Sequence, residues 1–127
     1  MEERKKFSII ARLNSFKYAF NGLKLFFQYD HNGRLHLFAA LIAILFSWLL
    51  HISKLEWIAI LMVITVVMVT EIINAAIEKL SDVVSPEYHP KIKIVKDLAA
   101  GAVLMTAFLA LAVGAMIFIP KLFACIS

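Results

Sequence analysis

Residues 57–82 read WIAILMVITVVMVTEIINAAIEKLSD, and the change of character inside this stretch decides what fold the chain can have. From Trp57 to Val69 only Thr65 is polar. At 1.5 Å per residue that run rises about 20 Å, short of the roughly 30 Å hydrocarbon core of a bilayer. The helix must therefore continue through Thr70–Glu78 and carry carboxylates into or beside the membrane. With 100° per residue and Glu71 at zero, Asn74 falls at about −60°, Glu78 at about −20° and Asp82 at about +20°. These polar groups share one face, while Ile73, Ala76, Ile77 and Leu80 occupy the other.

Composition agrees with a membrane solvent. Of 127 residues, 62% belong to the set AVILMFWYC and 17% are charged, with a mean hydropathy of +0.86. A soluble domain has roughly 45–50% apolar residues, and one this small could not hide the excess in its core. The length excludes a multidomain enzyme and leaves a single integral membrane domain. Two further spans flank the first. One runs over about 35–52 and the other lies within about 92–119, with the quoted helix occupying about 55–84. Asp30-His31-Asn32-Gly33-Arg34 reads as a turn, Ser85-Pro86-Glu87-Tyr88-His89-Pro90-Lys91 as a rigid loop, and Pro120 as the stop of the last helix.

Ahead of the spans, about 7–29 places Phe7, Ile10, Leu13, Phe16, Phe20, Leu23 and Phe27 three or four residues apart with basic residues between. This predicts an amphipathic helix for the membrane interface, or one packed on protein. The formal charge is +4. Arg4, Lys5, Lys6, Arg12, Lys17 and Lys24 suit anionic head groups, and no groove-reading motif points to nucleic acid. The basic segment and Lys91, Lys93 and Lys96 share one side, which the positive-inside rule makes cytoplasmic, N-terminus included. No A-x-A-like site precedes the first apolar run, so no cleavable signal is expected. The lone Cys125 excludes an internal disulfide and a cysteine metal site.

Acids on a membrane helix are poor structural choices, because burying one unpaired costs several kcal/mol. Glu71, Glu78 and Asp82 therefore suggest divalent-cation coordination or proton transfer, with a solvated helix end as the plain alternative for the last two. Lys96-Asp97 stands where the third span begins, followed by Ala99-Ala100-Gly101-Ala102. The small residues permit close helix approach, which would bring an ammonium suited to phosphate near the acidic row. A structural salt bridge from Lys96 to Glu78 or Asp82 is the competing account. Asp30 and Arg34 reach the same level from the first span. A small proton- or cation-coupled transporter would use the acids too, but explains neither the Glu87–Pro90 loop nor Lys96-Asp97.

The run EIINAAIE, then Asp82, EYHP and KDLAAGAV, resembles the prokaryotic diacylglycerol kinase family, small membrane kinases that include bacterial undecaprenol kinases. The resemblance covers nearly the whole chain, from the surface helix through Pro120. It implies an all-α protomer with one surface helix and three transmembrane helices, assembled as a homotrimer in the inner (cytoplasmic) membrane of a bacterium. The implied reaction moves the γ-phosphate of ATP to a lipid hydroxyl, of diacylglycerol or undecaprenol, with Mg²⁺. By the same resemblance Glu71 is the catalytic base beside Asn74 and Asp97. Asp30 and Glu78 hold the metal, and Tyr18, Glu87, Tyr88, His89, Lys96 and Asp97 contact nucleotide. Arg12 joins them one position out of register. Asp30 stands where the family usually has Glu, one methylene shorter, and Ala75 replaces a frequent Ser or Thr. The aromatic surface helix resembles the Gram-positive-like branch and points toward undecaprenol. The absence of a G-x-x-x-x-G-K-[ST] stretch agrees, since charged side chains and a metal must then do what backbone amides do elsewhere.

Overall fold

The computed structural model describes residues 8–127, so Arg4, Lys5, Lys6 and Phe7 of the basic segment lie outside the described residues. The order is α1 (Ile9–Tyr29), α2 (His31–Leu49), α3 (Lys54–Val84) and α4 (Pro90–Ile126), with no strand among the described residues. Three of these, α2, α3 and α4, are long and apolar enough to cross a membrane. The protein is thus an all-α, multi-pass membrane protein.

Each boundary has a local cause. Ser8 caps α1, its hydroxyl accepting from the Ala11 N–H. Asp30 serves two helices at once: its N–H donates to the Phe26 carbonyl and its Oδ1 accepts from the Gly33 N–H at 3.0 Å. One residue therefore accomplishes what the sequence reading assigned to a five-residue turn, and residues 31–34 belong to α2. Gly33 does not break the helix. It makes room for the buried Phe26 ring, whose Cε1 would lie 2.7 Å from a Cβ at that position.

The far end of α2 closes in a Schellman arrangement. His51 adopts a left-handed φ of 51° and donates to the Trp48 carbonyl, and Ile52 donates to Ser47. This ends the helix at Leu49, before the expected 52. Ser53 and Glu56 then form a reciprocal capping box that starts α3. Pro90 occupies the first turn of α4, where its missing N–H has no partner to lose, so this helix starts two residues before the expected 92.

Pro120 does not stop α4, which continues to Ile126. A proline removes one backbone hydrogen bond and crowds the preceding turn, but tertiary contacts hold the chain on both sides of it. Ile117 is buried with Ile52 and Ile60, and Lys121 Nζ lies 3.2 Å from Glu56 Oε1.

The packed interior is thin. Buried apolar side chains are Phe26, Ala40, Ile52, Ile60, Val67 and Ile117, while Phe108, Met105 and Met116 stand exposed on α4. Lipid is the solvent that such a surface requires. Hydroxyls within the spans turn inward on their own helices: Ser47, Thr65 and Thr70 donate to the carbonyls of Ala43, Leu61 and Val66.

Gly33→Ala should lower the thermal unfolding midpoint in detergent, through an overpacking cost of about 1–3 kcal/mol. Because the Phe26 ring is the obstruction, Phe26→Ala combined with Gly33→Ala should be no less stable than Phe26→Ala alone. A fully additive double variant would show that the ring is not what the glycine accommodates.

Candidate functional site

Helix α3 has 31 residues and rises about 46 Å, well beyond a bilayer core. Counting from Glu56 at the capped end, Glu71 stands about 22 Å along the axis, Glu78 about 33 Å and Asp82 about 39 Å. Glu71 therefore falls within the apolar thickness, and the other two fall at or beyond its edge. Burial follows the same gradient. Glu71 is 1% exposed and Asn74 is buried, whereas Glu78 and Asp82 are exposed.

Glu71 and Asn74 are unusual in what they lack. Among the described residues, Glu71 Oε1 and Asn74 Oδ1 are the buried side-chain oxygens or nitrogens without a hydrogen-bond partner. The second carboxylate oxygen, Oε2, lies 3.7 Å from Nε2 of His36 on α2. Structural burial of a polar group is normally accompanied by full pairing, so orphaned acceptors at this depth mark a place prepared for something else.

Two cavities meet α3 on either side of Glu71 along the chain. The first, about 390 Å³, lies between α2, α3 and α4 and is walled by small or apolar residues, including Ala40, Ala43, Val67, Ala107 and Gly114. Val67 and Met68 form its edge toward Glu71, and His36 is its ionisable wall residue. The second, about 590 Å³, opens between α1 and α3. Asp30, Glu78, Lys79 and Asp82 line it together with Gly22, Tyr29 and His31, and Ile72 and Ala75 form its edge toward Glu71.

The residues expected from sequence distribute accordingly. Asp30 and Glu78 share the polar cavity. Lys96 reaches the cavity's edge through a 2.7 Å bond from Nζ to Asp82 Oδ1, so the salt bridge and the approach to the acidic row are both present. Asp97 is not brought there; it accepts from Lys93 one turn back on α4's own surface. His89 caps α4, its Nδ1 accepting from the Lys91 N–H. Tyr18, Glu87 and Tyr88 are exposed, as is Arg12, and none lines either cavity. A Cβ at Gly101 would meet nothing within 4 Å, so this glycine is not a point of close approach between α4 and α3 within one protomer.

Sequence reasoning missed His36 and Lys79. Both carried a signal: His36 is an ionisable residue inside a predicted span, and Lys79 follows Glu78 on the helix already singled out.

The donor set suits a hard cation. Three carboxylates, Asp30, Glu78 and Asp82, line one cavity; Asp82 is engaged by Lys96, and Mg²⁺ is usually held by one or two carboxylates plus substrate phosphates. Among the described residues no three His, Cys, Asp or Glu side chains form a ready-made cage. Such a site would be completed by phosphate oxygens.

Comparison with known proteins adds the lineage. The profile of the family described as prokaryotic diacylglycerol kinase matches residues 17–118. A diacylglycerol kinase of Synechocystis sp. is 37% identical over 111 residues, covering 87% of this chain and 63% of that protein. An undecaprenol kinase of Bacillus subtilis is 34% identical over 108 residues, covering 85% of this chain and 88% of that protein. The matched chain thus spans less than two thirds of the first relative's length and most of the second's.

Replacing Glu71 with Met should raise the unfolding midpoint in detergent, by an amount equivalent to about 1–2 kcal/mol. An apolar side chain of similar size relieves a buried carboxylate whose Oε1 has no partner. A lower midpoint would show that the His36 contact makes Glu71 a net structural asset.

Proposed function

The chain belongs to the prokaryotic diacylglycerol kinase family, and from that premise we propose that it is an ATP-dependent lipid kinase. It transfers the γ-phosphoryl group to the primary hydroxyl of diacylglycerol or undecaprenol, giving phosphatidic acid or undecaprenyl phosphate. The observation that carries this reading is the position of buried Glu71 on α3 between residues that line an apolar cavity and residues that line a cavity bearing Asp30, Glu78 and Asp82, with Oε1 lacking a well-formed hydrogen bond.

The apolar cavity suits the hydrocarbon part of a lipid entering sideways from the bilayer. The polar cavity suits a nucleotide arriving from water. Glu71 Oε1 accepts the hydroxyl proton as the hydroxyl oxygen attacks the γ-phosphorus, and the bond from that phosphorus to the β-phosphate oxygen breaks in line, releasing ADP. Asn74 lies one turn on along the same face and orients the reacting groups through its amide. Asp30 and Glu78 would hold Mg²⁺, which would screen the phosphate charge. Lys96 adds a positive charge at the same rim through its bond to Asp82, while Asp97 pairs with Lys93 on the surface of α4. Tyr18 and Arg12 of α1 and Glu87, Tyr88 and His89 of the α3–α4 loop contact the nucleotide, as the family resemblance implies; all five are exposed.

The whole forms one domain in the cytoplasmic membrane, with the N-terminus and the α3–α4 loop on the cytoplasmic side. The length overlap with the Bacillus subtilis undecaprenol kinase supports undecaprenol as the first acceptor to test. Purified protein with ATP and Mg²⁺ should phosphorylate at least one of the two lipids. Glu71→Gln should reduce that rate by about 10²–10⁴-fold, since the amide keeps the shape but accepts no proton. Activity within tenfold of the parent would remove Glu71 from the role, and nucleotide-independent cation flux in liposomes would favour a transporter instead.

Assembly as a homotrimer is part of the same proposal. Ala100, Gly101 and Ala102 are exposed on the single protomer, and Gly101 has open space around it. Small residues on a lipid-facing helix are suited to contact with another helix. Gly101→Leu should weaken both oligomerisation, read by crosslinking or native mass spectrometry in detergent, and activity. Normal assembly and normal rate in that variant would return the active site to one chain.

A further inference from the structure

His36 is the residue that the proposed chemistry leaves without a task. It stands on the second turn of α2, about 9 Å along the axis from the Asp30 cap. That is close to the distance by which Glu71 lies below Glu78 on α3, so α2 and α3 present an imidazole and a carboxylate at matching depth. The side chains are 28% and 2% exposed, and Nε2 and Oε2 are 3.7 Å apart. Among the described residues His36 is the one basic group within 4.0 Å of Glu71. The separation is an ion-pair distance, and a shift of about 1 Å makes it a hydrogen bond.

The geometry divides the two carboxylate oxygens. Oε2 faces the imidazole, Oε1 is buried without a well-formed hydrogen bond, and the Asn74 side chain, one turn on along α3, is the other polar group that engages the carboxylate. A glutamate carboxylate on a flexible side chain can present either oxygen, or rotate both away from a substrate. An anchor on one oxygen removes that freedom and leaves the other aimed. We propose that His36 is the positioning residue of Glu71: it holds Oε2 from α2 so that Oε1 is presented to the acceptor hydroxyl at the end of the apolar cavity. His36 is also a wall of that cavity, so the group that orients the base lies against the path of the lipid. This inference rests on the reading of Glu71 as the proton acceptor.

The arrangement predicts a division of effects. Nothing places His36 at the polar cavity, whose walls come from α1, α3 and the Asp30–His31 junction. Its loss should therefore spare nucleotide binding and slow turnover. The other charged groups that act on Glu71 are Asp30, from the α1–α2 junction, and Glu78, on α3. The α4 residues lining the apolar cavity are Ala107, Ala110, Leu111, Gly114 and Phe118, which carry no charge.

The test compares His36→Ala, His36→Gln and Glu71→Gln with the parent, each normalised to folded protein by its melting curve in detergent. His36→Ala should lower kcat by about 10–100-fold, as misplacement of a reacting group by about 1 Å does, with the KM for ATP unchanged. His36→Gln retains an amide donor and should recover most of that loss. Gln carries no titrating group, so the acid-side limb of its pH–rate profile should remain displaced from the parent's even where the rate is recovered. A merely structural histidine would move stability and leave this limb in place. His36 variants with parental kcat and pH profile, beside an inactive Glu71→Gln, would overturn the positioning role alone. A parent that phosphorylates neither lipid would overturn the lipid-kinase reading and the positioning role with it.

Discussion

The burial of one carboxylate in a membrane helix is the constraint around which the rest of this structure is arranged. Glu71 is 1% exposed and its Oε1 is unpaired. An unpaired buried charge is destabilising by several kcal/mol, so the surrounding helices must be held in place by contacts made elsewhere. Those contacts lie mostly at the opposite end of the molecule. There the α2 terminus, the capping box of α3, the Ile52–Ile60–Ile117 cluster and the Lys121–Glu56 pair satisfy one another. The protein is thereby divided along its axis, with a self-satisfied end and an end where the buried polar atoms of Glu71 and Asn74 lack well-formed partners.

How much of this was legible in the sequence depends on whether a feature is periodic. The polar face of α3 follows from helical geometry alone, and the structure places Glu71 and Asn74 on its buried side as the spacing requires. The helix count, the three spans and the limits of α3 follow from hydrophobic run lengths. Boundaries that depend on a single side chain were less legible. Asp30, His31 and Gly33 look like a turn because Asp, His and Gly all disfavour helix interiors. Asp30 in fact caps α2, and Gly33 is required by the size of the Phe26 ring, a tertiary fact that local composition cannot carry. Pro120 is the same lesson in reverse, since an intrinsic helix breaker is outweighed by contacts at Ile117 and Lys121 on a helix of 37 residues.

The candidate site was legible to the extent that its members lie on one helix. Glu71, Asn74, Glu78 and Asp82 share α3, and a helical wheel groups them. His36 approaches from α2, and no spacing rule within one helix can pair it with Glu71. Conversely, Asp97 follows Lys96 directly, but neighbours in a helix point about 100° apart. Lys96 accordingly turns to Asp82 on α3, and Asp97 turns to Lys93 on its own surface.

Asp30, standing where the family resemblance implies a glutamate, can be understood from the fold. Aspartate is among the best helix N-caps, because its short side chain returns to the backbone amides of the first turn, and a longer glutamate is less suited to that reach. Asp30 uses Oδ1 to cap α2 through Gly33, which leaves Oδ2 for the cavity it shares with Glu78. A free glutamate would extend one methylene farther but would lose side-chain freedom when it engaged a cation. The capped aspartate has already lost that freedom in forming α2. The shorter arm therefore accompanies a better-fixed donor, and the residue that starts the first span also sets the position of one wall of the polar cavity.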